Sequence, residues 1–147
     1  MTRSQQLAQV AGRDLELDCA DYQGLQRLMQ GLYEQLLVRD SVQIESINQQ
    51  ILVLVDFIRA RADRRSKILA AFGLVPTSSD AMKTLLAHCP LPNRNAYLHC
   101  WQELKKWVQE TKSLNERNGK LLAMHNEILS QLMSDGQVPQ VYSPRYY

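Results

Sequence analysis

Four side chains stand in adjacent pairs that could ligate a metal or couple a nucleophile to a base: His88-Cys89 and His99-Cys100. Neighbours on a helix project roughly 100° apart, and the usual zinc arrangements separate the two members of a ligand pair by two or more residues. The spacing therefore argues against zinc. A Cys/His nucleophile fares no better, since no run resembles a catalytic signature and no glycine-rich strand-turn-helix could build an oxyanion or phosphate site. With Cys19 the thiols form an odd, sparse set, so reduced structural cysteines are expected, with no disulfide framework, metal or cofactor. The other chemistry-bearing group is basic: Arg59, Arg61, Arg64, Arg65 and Lys67. Asp14, Glu16, Asp18 and Asp21 stand on a preceding helix expected to run antiparallel alongside. Charge matching inside the molecule is thus expected, and binding of nucleic acid is not, because the cluster lacks aromatic interleaving.

These residues must be positioned by helices. The chain has 147 residues, 45% of them hydrophobic and 22% charged, with 6 glycines, 5 prolines, 7% aromatics and a net charge of +2. That is too apolar for a chain disordered throughout, and too poor in turn and strand formers for an all-β fold. The near-neutral charge also disfavours a dedicated nucleic-acid binder. The N-terminal residues lack the apolar core of a signal peptide, and the longest aliphatic run, Ile51 to Val55, is far short of a membrane span. A cytoplasmic protein that does not insert into membranes is expected.

Apolar residues at Leu15, Cys19, Tyr22, Leu25, Leu28, Met29, Leu32, Tyr33 and Leu36 predict a first helix over 14–38. Leu7, Val10 and Ala11 could prolong it upstream, while Gly12 and the polar flanks speak against that extension. Asp40 with Gln43 reads as the cap of a second helix, 41–72, whose stripe runs Ile44, Ile47, Ile51, Leu54, Val55, Ile58, Ala62, Ile68, Leu69 and Phe72 before Gly73 and Pro76 stop it. Its centre, Ile51 to Val55, is apolar all round and predicts neighbours on more than one face. Ser78, Ser79 and Asp80 are N-cap candidates for a short helix, 79–88, closed by Pro90 and Pro92. Asn93 or Asn95 can cap a last helix, 94–134. Residues 135–147, with two prolines and three tyrosines, predict a mobile tail. The expected fold is all-α: an elongated antiparallel bundle or coiled coil of three long helices and one short one, forming a single domain over 1–134.

In heptads from Tyr97, the last helix has one core row of Cys100, Trp107, Leu114, Leu121 and Ile128, and another of Trp101, Val108, Leu122 and Leu129. The third row begins with Tyr97 and Leu104 but continues as Thr111, Asn118 and His125 before Leu132. A polar row in an apolar stripe lowers stability and can fix register. Tyr97, Trp101 and Trp107 are expected in the core. At the helix end, Leu121, Leu122, Met124, Ile128, Leu129, Leu132 and Met133 cover more than half the circumference, and the second helix is too short to pair with all of it. Such an apolar overhang predicts a partner-binding surface.

The run Leu114-Asn115-Glu116-Arg117-Asn118-Gly119-Lys120-Leu121-Leu122 resembles the Leu-Asn-x-x-Asn-Gly-x-Leu-Leu stretch of the FlgN family of flagellar type III export chaperones. Arg64-Arg65 and Phe72-Gly73-Leu74 are similar to that family's second helix and its Leu-Gly-Leu ending, and the order of elements follows its layout. The resemblance implies a cytoplasmic, non-enzymatic chaperone. Its partners would be the two hook-filament junction proteins (hook-associated proteins 1 and 3), whose C-terminal helical segments it holds, protects from premature assembly and delivers to the export gate. The family's substrate-binding region falls here on the last helix. This implies contacts from Leu114, Asn118, Leu121, Leu122, His125, Ile128, Leu129, Leu132 and Met133. A family tyrosine tied to the export gate matches Tyr142, although Ser143-Pro144 follows where a glycine-containing stretch is expected. Two rival uses of the same sequence are a self-associating coiled-coil scaffold built on the overhang and a nucleic-acid regulator built on Arg59 to Lys67.

Overall fold

A computed structural model describes residues 1–132, without the side chains of Leu129 and Leu132. Its helices are α1 (Arg3–Val38), α2 (Ser41–Ala71), α3 (Ala81–Leu86) and α4 (Leu91–Leu132), so three long helices and one short one are as expected. The expected tail, 135–147, lies outside the described residues.

The ends of these helices follow from local chemistry. At the start of α1 the Gln5 amide donates to Thr2 Oγ1 at 3.1 Å and the Thr2 amide donates to Gln5 Oε1 at 2.9 Å. This reciprocal capping box starts α1 eleven residues before the expected position 14. Gly12 does not interrupt the helix, because it is buried against Tyr97 rather than exposed. Both α1 and α2 close with paired backbone bonds around a left-handed residue. At Gly73 (φ 70°) the bonds run from Gly73 to Ala70 and from Leu74 to Leu69. At Arg39 (φ 56°) they run from Arg39 to Leu36 and from Asp40 to Gln35. Asp40 then caps α2, its Oδ1 accepting from the Gln43 amide at 3.1 Å. Asp80 stands at the N-cap of α3 without a side-chain cap bond. Neither Asn93 nor Asn95 caps α4. The helix begins at Leu91, and the Arg94 guanidinium turns back to the Ala87 and Cys89 carbonyls beyond α3.

The chain forms two compact units, and α1, α2 and α4 contribute to both. The first comprises Met1–Gln23 and Asp56–Gln109; the second comprises Gly24–Val55 and, among the described residues, 110–132. In the first unit Asp14 meets Arg64 and Asp18 meets Arg61, so α2 runs antiparallel to α1. Gln9 and Gly12 meet Tyr97 while Cys19 meets Cys100, so α4 runs parallel to α1. In the second unit Gly24 faces Leu54 and Gly31 faces Ile47, again antiparallel, and Gln26 meets Glu110 while Gln30 meets Arg117, again parallel.

The α1 stripe is the core the spacing predicted: Leu15, Leu25, Met29, Leu32 and Leu36 are at most 2% exposed. Two other expectations are corrected. The centre of α2 is not covered all round, for Val53 is 53% exposed. On α4 the buried line is the third row, Tyr97, Leu104, Thr111 and Asn118, whereas Trp101 and Trp107 are half-buried and Val108 is 43% exposed. A helix set into the groove between two others points its middle row straight in and rests each flanking row on one neighbour. The two richer apolar rows are therefore flanks, not seam.

Candidate functional site

The basic cluster resolves into internal pairs. Arg61 donates to Asp18 at 3.1 Å and Asp21 at 2.6 Å, Arg65 to Asp18 at 2.9 Å, and Arg64 to both oxygens of Asp14 at 2.7 Å. The bidentate bond to Asp14 holds the Arg64 guanidinium above its ordinary pKa. Arg65 also lies over the Trp101 ring at 5.7 Å. Three of the five basic residues are thus neutralised within the first unit, as the charge-matching expectation required.

The His and Cys residues do not converge either. His88 packs edge-on against Phe72 with ring centroids 4.9 Å apart, and His99 is exposed. Cys89 is buried, and the Cys19 thiol donates to the Cys100 carbonyl at 3.3 Å. Burial, with Cys100 alongside, pushes the Cys19 thiol up to about 12, and burial raises Cys89 and Cys100 too. Nucleophilic attack and metal ligation both use the thiolate, which these surroundings disfavour. Among the described residues no group of three or more His, Cys, Asp or Glu is placed to hold a metal. None of their helices is long and apolar enough to cross a membrane.

The second unit carries the expected partner-binding residues. Between α1 and α4 the paired residues lie 84 to 89 positions apart, so Val38 is level with about position 125 of α4. The remaining residues of α4 run on past the α1–α2 corner, by roughly 10 Å at the helical rise. Leu114, Leu121, Leu122, His125 and Ile128 are half-buried, and Met124 is 56% exposed. Asn118 lies apart from them. It is 1% exposed and donates through Nδ2 to the Met29 carbonyl at 2.9 Å. The side chains of Leu129 and Leu132, and all of Met133 and Tyr142, lie outside the described residues.

Three further exposed apolar residues were missed by the periodicity. Leu37, Val38 and Val42 at the α1–α2 corner are 56%, 70% and 76% exposed. Leu37 and Val38 lie off the α1 stripe and Val42 precedes the α2 stripe. Their signal was that they were apolar residues with no place in the core pattern. Beside them Arg117 stacks on the Tyr33 ring at 3.7 Å.

His125 is held below its ordinary pKa by burial and then by the positive charge of Arg39. A base depressed in the folded state stays neutral where the unfolded chain takes up a proton, so stability falls as pH drops through the imidazole range. Melting curves between pH 8 and 5 should show that loss reduced in His125→Gln; identical pH dependence in the two proteins would remove His125 as its source.

A scan of protein-family models matches residues 5–145 to FlgN, described as FlgN protein. Neither curated proteins nor solved structures gave a significant match.

Proposed function

The chain belongs to the FlgN family and is a flagellar export chaperone, and from that premise we propose that α4 holds the C-terminal helical segments of the hook-filament junction proteins. The observation supporting this is the second unit's uncovered hydrocarbon. The row Leu114, Leu121 and Ile128 and its neighbour Leu122 are only half covered, α4 runs past the corner, and Leu37, Val38, Val42 and Met124 stand exposed around it. An amphipathic helix laid on this surface removes that hydrocarbon from water and hides its own assembly face. From the sequence alone we assign Leu129, Leu132 and Met133 to the same contact, and His125 with them. Methionines let such a surface accept more than one substrate sequence. Tyr142 then docks the loaded chaperone at the export gate in the cytoplasm, and no catalytic step is involved.

Replacing Leu122 and Leu129 together by Ala should weaken binding of a junction-protein C-terminal segment by about 10-fold or more, since two interface leucines that contribute about 1.4 kcal/mol or more between them correspond to that factor. Calorimetry giving wild-type affinity at unchanged helicity would overturn the α4 assignment. For the tail, Tyr142→Ala should leave that affinity intact and reduce secretion of the junction proteins. Equal secretion by mutant and wild type would remove Tyr142 from delivery.

A further inference from the structure

In the second unit α1 and α2 present a hydrocarbon face: Leu25, Met29, Leu32, Leu36, Ile51 and Val55 are each 2% exposed or less, with Asn48 as a buried polar member. What α4 sets against that face is different in kind. Past Leu104, the α4 side chains that reach full burial among the described residues are Thr111 and Asn118, both polar. Thr111 Oγ1 and Asn118 Oδ1 are buried without a hydrogen-bond partner, and so are Asn115 Oδ1, Arg117 Nε and Asn126 Oδ1. Five of the six such atoms among the described residues therefore lie on one stretch of one helix.

A buried polar atom without a partner keeps the cost of leaving water, and detachment of its helix returns it to solvent. The α4 stretch is held by the Asn118 bond to the Met29 carbonyl and by the Gln26–Glu110 and Gln30–Arg117 pairs, but its buried unpaired atoms offset part of that hold on a face that is itself strongly apolar. An amphipathic helix with aliphatic side chains in place of Thr111 and Asn118 would cover the same aliphatic residues without burying those two unpaired oxygens.

We propose that residues 110–132 of α4 are a displaceable cover, which parts from α1 and α2 so that an amphipathic helix of the exported protein takes its place on Leu25, Met29, Leu32, Leu36, Ile51 and Val55. Leu121, Leu122 and Ile128, from the two apolar rows of α4, close on the other side of the incoming helix. This rests on the chaperone reading above and deepens it, because the substrate enters the bundle instead of lying on its outside. Partner choice follows from chemistry: a helix with an unbroken aliphatic stripe displaces α4, and one with polar interruptions does not.

Hydrogen exchange on the free, full-length chain tests the cover alone. Amides of 110–132 should exchange at least 10-fold faster than those of 24–36, and equal protection overturns the proposal. The double variant Thr111→Val, Asn118→Leu should slow that exchange and melt at higher temperature. It should bind a synthetic C-terminal helical peptide of a junction protein about 10-fold more weakly. Wild-type affinity in a folded variant with slowed exchange overturns displacement while leaving the outer α4 surface as the substrate site. Nitroxides carried on unnatural amino acids at Gln30 and Lys120 should move apart when the peptide is added; an unchanged separation with peptide bound overturns the proposal. A peptide that fails to bind the wild-type chain overturns the substrate reading instead, and the exchange measurement then judges the cover by itself.

Discussion

Asp18→Ala should lower the thermal midpoint by on the order of 10 °C, from a loss of about 3 to 5 kcal/mol when one partner of a buried ion network is removed. Asp18 is fully buried and accepts from two guanidiniums, Arg61 at 3.1 Å and Arg65 at 2.9 Å. Those side chains are only 13% and 12% exposed, so water cannot readily replace the lost carboxylate. Arg61 retains Asp21 at 2.6 Å, whereas Arg65 is left with the face of Trp101. The Arg65 guanidinium therefore carries most of the penalty. Asp21→Ala is the internal comparison: Asp21 is 23% exposed and its removal leaves Arg61 bonded to Asp18, so the loss should stay near 1 kcal/mol or below. Equal midpoints for Asp18→Ala and the wild type would show that the network is solvated and contributes nothing net.

The same network shows which parts of the fold could be read from residues and which could not. Opposite charges on two helices expected to be antiparallel were enough to pair the arginines with the aspartates, because the short connection between Val38 and Ser41 fixes the register and brings residues equidistant from it together. The α1 stripe was legible for a similar reason: a helix packed mainly through one arc shows its arc in the sequence. On α4 the same reading inverted core and flank, since a helix resting on two neighbours has two apolar rows and hydrophobicity alone does not say that the row between them is deepest. The position of Thr111 and Asn118 at full burial became visible only once α1 and α2 were in place. The start of α1 was legible only as a candidate extension through Leu7, Val10 and Ala11, although its cap signal was present. Thr2 and Gln5 have the spacing of a capping box, but Gly12 between them and the stripe reads as a breaker. The corner residues Leu37, Val38 and Val42 were invisible to periodicity because surface patches need no period.

Gly12→Ala reverses the sign that helix propensity alone would give. In an exposed mid-helix position the exchange of glycine for alanine stabilises by about 1 kcal/mol. At Gly12 an added Cβ meets Cδ2, Cε2 and Cγ of the Tyr97 ring. Tyr97 cannot swing aside freely, because it is 4% exposed and its hydroxyl accepts from Gln9 Nε2 at 2.8 Å. The backbones of α1 and α4 would have to separate, or the ring would have to leave its packed position and break that bond. Overpacking of this kind costs about 1 to 3 kcal/mol, enough to outweigh the propensity gain and lower the midpoint by several degrees. The physical cause is checked by a double-mutant cycle. Tyr97→Ala alone opens a cavity and should destabilise strongly, but in that background Gly12→Ala should become neutral or stabilising, since the clash is gone and the propensity gain remains. If Gly12→Ala destabilises equally with and without the Tyr97 ring, the close approach of α1 to α4 at this level is not what requires glycine.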